Sequence, residues 1–194
     1  MKRSSKFSGA LLAAALFTVS AAASRNSISR GMPQSDSSLP AASSVAKPHA
    51  FVSLDEVPAG HSFEVAIVVD ILTGYHMNSH TPTESYLIPT TISLAPPPGI
   101  RDGGTSYPDG QLLKFDFSPE KLSVYSGSVT ILAKLSAEAG AAPGEVTLPF
   151  TLRYQACNMS ACLPPVKISV PVKVKVGSAG AKPHELHPEI FKKT

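Results

Sequence analysis

The chain has 194 residues, of which 43% are hydrophobic and 16% are charged, so it is long enough to bury the core of one domain. Its 17 lysines and arginines outnumber its 14 acidic residues by three, but Lys2, Arg3 and Lys6 lie at the extreme N-terminus. Without those three residues the formal charge is zero, which gives no support for binding to nucleic acid or to a membrane surface.

Residues 1–23 are predicted to form a secretory signal peptide. The basic N-terminus is followed by the apolar run 9–19, and the alanines at 21–23 offer small residues for cleavage. The apolar run is shorter than the roughly 20 residues that a membrane-spanning helix needs. We therefore expect a soluble secreted or periplasmic protein that does not insert into the membrane.

The remaining chain is predicted to contain one domain between two unstructured segments. Residues 24–50 are rich in Ser, Ala and Pro and are predicted to form a disordered linker. Residues 177–194 are similar in composition and are predicted to form a flexible tail. The domain itself is expected to span residues 51–176.

The domain is predicted to be all-β. Alternation of apolar and polar residues with a period of two indicates strands with one buried face, and four segments show it: 63–71, 129–135, 146–154 and 166–176. Further strands are predicted within residues 85–94, which Pro89 interrupts, and within residues 112–117.

The positions of turns and prolines indicate which all-β fold the domain adopts. Clusters of Gly and Pro predict turns at 96–99, 103–110 and 140–144. Pro149 and Pro171 lack a backbone N–H, which predicts edge strands or bulges for the last two strands. Several short antiparallel strands separated by turns are typical of an immunoglobulin-like two-sheet sandwich.

The two cysteines of the chain, Cys157 and Cys162, lie between the last two predicted strands. In an oxidising compartment such a pair should form a disulfide, with α-carbons about 4.4–6.8 Å apart. A bridge that closes so short a loop stabilises the fold by only ~2 kcal/mol, against ~4.7 kcal/mol for a 100-residue loop. Two interpretations stay open: a structural hairpin disulfide, or a bridge that opens and closes by thiol–disulfide exchange.

Three motifs resemble the N-terminal periplasmic domain of the thiol:disulfide interchange protein DsbD, over about residues 51–176. They are Gly-Tyr-His-Met-Asn-Ser at 74–79, Val-Tyr-Ser-Gly at 124–127, and Tyr-Gln-Ala-Cys with Cys-Leu-Pro-Pro at 154–157 and 162–165. The motifs occur in the order that the family shows. The resemblance implies an immunoglobulin-like sandwich whose cysteine pair relays two electrons.

The resemblance also implies partners and residue roles. Electrons would come from a membrane-embedded carrier through a thioredoxin-like domain and pass to periplasmic disulfide isomerases or to thioredoxins of cytochrome c maturation. Carried over to this chain, Cys162 is the attacking nucleophile and Cys157 the resolving thiol. We expect a monomer that needs no cofactor and no metal. Whether it acts as a protein-disulfide reductase stays open.

Two departures from the family are apparent. Four residues separate Cys157 from Cys162, where well-known members have five. No segment resembles the family's membrane domain or thioredoxin-like domain, so we expect a free-standing version with a separate electron donor. The family also places an aromatic residue of a cap loop over the disulfide. Phe115 and Phe117 are candidates within residues 114–122, although both could instead belong to the core.

Other signals are weaker. His76 and His80 have a spacing that could hold a metal on a helix, but Gly74 and Pro82 argue against a helix, so a hydrogen bond or a place near the cysteines is expected for His76. The five tyrosines are expected mainly as half-buried sandwich residues. Alternative functions are a secreted binding module with a structural disulfide, or a chaperone-like accessory that uses an exposed sheet edge.

Overall fold

The structure is a computed structural model and describes residues 39–192. The predicted signal peptide and the first part of the predicted linker lie outside the described residues. In chain order the strands are β1 (Ala46–Val52), β2 (Val57–Pro58), β3 (Ser62–Ile71), β4 (His76–Asn78), β5 (Thr91–Leu94), β6 (Ile100–Ser106), β7 (Gln111–Lys114), β8 (Lys121–Tyr125), β9 (Ser128–Ala137), β10 (Gly144–Tyr154), β11 (Ala156–Cys157) and β12 (Val166–Gly177). A 3-10 turn (Ala42–Ser44) precedes β1, and a short helix α1 (Pro188–Phe191) follows β12. No helix within residues 39–192 is long and apolar enough to cross a bilayer.

The strands form three four-stranded sheets. Sheet A has the order β1-β3-β9-β6, sheet B the order β2-β12-β10-β5, and sheet C the order β11-β4-β8-β7. All strand pairs are antiparallel except β12 with β2. The predicted all-β, immunoglobulin-like class is confirmed, and the small sheet C is an addition to the two sheets that were predicted.

One apolar cluster joins the inner faces of sheets A and B. Val65, Ile67 and Leu135 of sheet A and Phe150 and Leu152 of sheet B are all at most 2% exposed. Burial alternates along these strands with a period of two, because successive side chains of a strand point to opposite faces. Sheet C covers a smaller cluster of its own, made of Leu87, Phe115, Leu122 and Val124.

The four strands with the strongest alternation are confirmed, and the weaker ones need correction. β3, β9, β10 and β12 contain the predicted segments. The strand predicted within residues 85–94 is limited to Thr91–Leu94, after Pro89, and the strand predicted within 112–117 ends at Lys114. Residues 103–106, predicted as a turn, belong to β6, where the register shifts between Asp102 and Thr105.

Pro149 and Pro171 face each other in the β10–β12 pair. Neither residue can donate a backbone hydrogen bond, so this position must be a non-hydrogen-bonded pair, in which each N–H would point away from the partner strand. On those outer sides β5 reaches only from Phe150 to Arg153, and β2 reaches only Val176 and Gly177. The prolines therefore lie where each strand is locally an edge, although both strands are interior in the sheet order.

The N-terminal boundary of the sandwich differs from the prediction. β1 begins at Ala46, inside the predicted linker, and pairs with β3 from Ala46 to Val52. Val45 and Ala46 are buried. The segment has little alternation and contains Pro48, which is tolerated because β1 is an edge strand. The composition of residues 39–50 therefore does not indicate their packing.

The predicted flexible tail is also corrected by the structure. The N–H of Leu186 donates to the carbonyl of Ser53 at 2.8 Å, and the rings of His187 and Phe51 meet edge to face, with centroids 4.9 Å apart. The C-terminal segment thus lies against the end of β1. These contacts involve single hydrogen bonds and rings, which leave no periodic pattern in the sequence.

The docked tail should loosen at low pH. The backbone N–H and the ring of His184 hydrogen-bond to Asp55 and lower the pKa of its carboxyl. A depressed folded pKa gives stability that is present above the unfolded pKa of about 3.9 and is lost as the pH falls through the folded value. We expect faster amide exchange at Leu186 in that window, after correction for the intrinsic rate.

The control for this experiment is Asp102→Asn, an exposed carboxyl in β6. Asp55→Asn should abolish the pH step at Leu186, whereas Asp102→Asn should leave it unchanged. Protection of Leu186 that does not depend on pH in the unmodified chain would contradict the assigned role of Asp55.

Candidate functional site

The cysteine loop leaves the end of sheet B between its two longest strands. β10 and β12 pair from Gly144↔Val176 to Tyr154↔Val166, so residues 155–165 connect paired ends as predicted. Cys157 and Cys162 are bonded to each other, five positions apart, with an α-carbon separation of 3.9 Å. This separation is below the expected range, and the two cysteines also form an antiparallel bridge with each other.

The loop is folded by its own polar groups. The N–H of Asn158 donates to the carbonyl of Ala161 at 2.9 Å. The side-chain oxygen of Asn158 accepts from the N–H groups of Ser160 and Ala161 at 2.9 and 2.8 Å. An Asn side chain that bonds its own following backbone in this way fixes a tight turn. The side chain of Met159 stands 45% exposed at the tip of the loop.

Burial distinguishes the two cysteines. Cys157 is 2% exposed, whereas Cys162 is of intermediate exposure. Cys157 is buried because β11 pairs with β4. In this pair Cys157 lies opposite His76, and Ala156 lies opposite Met77. The chain therefore leaves sheet B after Tyr154 and joins sheet C within two residues. Cys162 is therefore the more exposed of the two cysteines.

His76 lies beside the buried cysteine, which is one of the two alternatives expected from the sequence. Directly opposite residues of an antiparallel pair have β-carbons about 5 Å apart on the same face. The His76 Nδ1 is 2.8 Å from the Ser126 hydroxyl, and its ring meets the Phe115 ring edge to face at 5.3 Å. Burial lowers the pKa of His76 below its usual 6.5. The ring is therefore largely neutral at pH 7 and supplies no positive charge to activate Cys157.

Gln155 and Asn78 connect the strands around the disulfide, and no separate role was expected for Gln155. The Asn78 amide donates to the Gln155 side-chain oxygen at 3.2 Å and to the carbonyl of Ile88 at 3.0 Å. The Gln155 amide in turn donates to the carbonyl of Leu163, at 3.3 Å, just beyond Cys162. Both residues belong to motifs that resemble the family, which is the only signal by which sequence could have found them.

The predicted cap segment reaches the cysteine loop. The N–H of Asp116 donates to the carbonyl of Met159 at 3.1 Å. Phe115 is 1% exposed and packs in the cluster below sheet C, as the core alternative expected. Phe117 is 37% exposed, with its ring centroid 5.3 Å from that of Phe115. The two aromatic candidates therefore separate into one core residue and one surface residue.

His76 and His80 contact different partners. His80 stacks on Tyr107 with centroids 3.7 Å apart and contacts the carbonyl of Thr90, whereas His76 contacts Ser126. Within residues 39–192, no group of three or more His, Cys, Asp or Glu side chains is placed to hold a metal ion. Tyr125, like Tyr107, stabilises the fold, because its hydroxyl donates a hydrogen bond to the carbonyl of Pro108.

Comparison with known proteins identifies the family. The family described as thiol:disulfide interchange protein DsbD, N-terminal, matches residues 42–173. The chain belongs to this family. The matched region begins before the predicted domain start at residue 51 and includes β1. No curated protein matches the chain.

Two solved structures are similar to this chain. The N-terminal domain of Neisseria meningitidis DsbD in the reduced form has 19% identity and a TM-score of 0.44 over 76% of this chain and 94% of that one. The N-terminal periplasmic domain of ScsB from Proteus mirabilis has 11% identity and a TM-score of 0.45 over 76% of this chain. The match covers 51% of the ScsB chain, about half its length. Family membership rests on the match over residues 42–173.

Replacing Gln155 should destabilise the fold. Gln155→Ala removes one of the two acceptors of the buried Asn78 amide and the side-chain donor to the Leu163 carbonyl, and a buried polar group left without a partner costs about 1–3 kcal/mol. We expect the free energy of unfolding in urea to fall by about that amount. Gln111→Ala, at an exposed position of β7, should change it by less than about 0.5 kcal/mol. Equal effects of the two substitutions would refute the bridging role of Gln155.

Proposed function

We propose that this chain is a periplasmic thiol–disulfide exchange domain that relays two electrons between thioredoxin-like partners through Cys157 and Cys162. The observation that carries the proposal is the pairing of a buried Cys157 with a more accessible Cys162, in a chain of the DsbD N-terminal family. Exchange requires that one sulfur be open to an incoming thiolate while the other leaves. The burial of the two cysteines meets this requirement.

The proposed exchange proceeds in two steps. A partner thiolate attacks Sγ of Cys162, the bond to Cys157 breaks, and the electron pair leaves on Sγ of Cys157, which takes up a proton. The second thiolate of the partner then attacks the partner's own sulfur in the mixed disulfide and releases Cys162 as a thiolate, which is protonated in turn. The partner is oxidised to a disulfide, and this domain is reduced to a dithiol.

The same steps in reverse pass the electrons on. Cys162 attacks the disulfide of an oxidised partner, and Cys157 resolves the mixed disulfide. In this proposal the donor is a membrane-embedded carrier acting through a thioredoxin-like domain, and the acceptors are periplasmic disulfide isomerases or thioredoxins of cytochrome c maturation. The N-terminal signal peptide predicted for residues 1–23 would deliver the chain to that compartment.

The deciding measurement is the equilibrium of the cysteine pair against graded thiol redox buffers, read by the mass shift on alkylation. We expect a reduction potential between about −120 and about −270 mV, the range of thioredoxin-like exchangers. A bridge that stays closed below about −300 mV would make the disulfide structural and favour a secreted binding module instead.

Single-cysteine variants test the two roles. Cys157→Ser leaves the accessible Cys162 and should trap a thioredoxin as a stable mixed disulfide, because no resolving thiol remains. Cys162→Ser leaves only the buried Cys157 and should trap little. The opposite pattern on non-reducing gels would reverse the roles of the two cysteines.

Phe117 is proposed as the aromatic shield of the disulfide, since Phe115 belongs to the core. Phe117→Ala should speed reduction of the bridge by glutathione, because the segment that contacts Met159 would then cover the loop less well. Leu112→Ala, at a 61% exposed position of neighbouring β7, serves as the control and should leave the rate unchanged. An unchanged glutathione rate in Phe117→Ala would remove Phe117 as the shield.

A further inference from the structure

Two basic side chains face each other at the end of sheet B that leads into the cysteine loop. Arg153 of β10 lies directly opposite Lys167 of β12. The chain neighbours of Arg153, Leu152 and Tyr154, point into the core and are fully buried, so Arg153 and the Lys167 opposite it share the outer face. Like charges that lie directly opposite each other in an antiparallel pair repel and destabilise the sheet.

No acidic residue of sheet B offsets this pair. The nearest positions on the same face, in β10 and β12 themselves and in neighbouring β5, are all uncharged: Thr91, Ser93, Thr151 and Ser169. Among the ion pairs formed within residues 39–192, none includes Arg153 or Lys167. The positive charge at this end of the sheet is therefore not neutralised by a direct ion pair.

The far end of the same face shows the opposite arrangement. Lys173 pairs with Glu145 at 2.8 Å, and Lys175 pairs with Glu56 at 3.0 Å. One sheet face thus carries two pairs of basic residues, and only the pair distant from the disulfide is matched by acids. This contrast supplies an internal control for any effect of net charge.

The unmatched pair lies within reach of any protein that docks on the disulfide. Arg153 is four residues from Cys157 and Lys167 is five from Cys162, which places them at most about 14 and about 18 Å away along the chain. A standard interface buries about 800 Å² on each partner, equivalent to a disc of about 16 Å radius. Arg153 and Lys167 therefore fall within or at the rim of such a footprint, where charge controls the association rate.

We propose that Arg153 and Lys167 form a docking surface for a thioredoxin-fold partner that presents acidic side chains beside its reactive cysteine. The inference rests on the proposed exchange function and adds the charge of the partner. Carboxylates brought against the two cations relieve their mutual repulsion and speed the encounter. Asp116 of the cap segment follows β7, and its backbone N–H donates to the carbonyl of Met159, so charge around the disulfide is uneven and favours one orientation of the partner.

The test uses peptide disulfides of defined charge. Peptides of one sequence carry aspartates, lysines or asparagines at the same positions near a single cysteine, which is linked to 2-thiopyridine. A thiolate of the reduced chain attacks the peptide sulfur and releases pyridine-2-thione, which is followed by absorbance. The second cysteine then resolves the mixed disulfide and frees the peptide thiol, so one dithiol is oxidised for each peptide disulfide reduced.

The Asp peptide should react about tenfold faster than the Lys peptide at low salt, and the ratio should shrink at about 200 mM salt as screening shortens the reach of charge. Two double variants are compared: Arg153→Gln with Lys167→Gln, and Lys173→Gln with Lys175→Gln. Both remove two positive charges, so they have the same net charge. The Arg153/Lys167 double variant should bring the ratio of the Asp-peptide rate to the Lys-peptide rate close to one. The Lys173/Lys175 double variant should keep most of the preference for the Asp peptide.

The outcomes distinguish a failure of the docking surface from a failure of the exchange function. An Asp preference that persists in the Arg153/Lys167 variant, or that is lost equally in both variants, overturns the docking surface. The uncharged Asn peptide should react at the same rate in all three proteins, which shows that the variants are folded. If the reduced chain does not react even with the Asn peptide, the exchange function itself fails. Comparing each peptide across the proteins cancels the intrinsic reactivity of its own sulfur.

Discussion

The long antiparallel pair of β10 with β12 is the constraint on which the rest of the structure depends. Its register runs without a break from Gly144 opposite Val176 to Tyr154 opposite Val166. On the inner face this pairing buries residues such as Phe150 and Val172 against sheet A. At its end it brings the two arms of the cysteine loop together, which closes the disulfide, and on its outer face it forces Arg153 against Lys167. Core, cysteine loop and charge pattern are therefore three consequences of one register.

The second constraint is the short passage from sheet B to sheet C. After Tyr154 the chain turns away from β12 and pairs its next residues, Ala156 and Cys157, with β4. This change of partner draws Cys157 below the surface while Cys162 stays nearer to it. The amides of Gln155 and Asn78 hold the junction from within. A loop that would be a simple hairpin connection thereby becomes a site with one protected and one accessible cysteine.

The electrostatics of the site follow from burial. His76 faces Cys157, but burial lowers its pKa and keeps the ring largely neutral at pH 7. A neutral ring does little to stabilise a thiolate, so the burial of Cys157 is not offset by a nearby cation. The charged side chains instead lie around the site: Arg153 and Lys167 are on sheet B, and Asp116 is beside the loop. Such charges act on the approach of a partner more than on the chemistry of the sulfur.

The sequence by itself determined the all-β class, the four long strands and the cysteine pair. Strands such as β3 and β9 were predictable because burial on one face leaves a period of two in the sequence, and the cysteines were predictable because they belong to a motif. Only the tertiary structure decided the remainder. β1, β6 and the strands β4, β8 and β11 of sheet C are edge or short strands, whose partners rather than their own patterns define them. The different burial of Cys157 and Cys162, and the division of Phe115 and Phe117 between core and surface, arise from contacts between residues far apart in the chain, and no local pattern encodes such contacts.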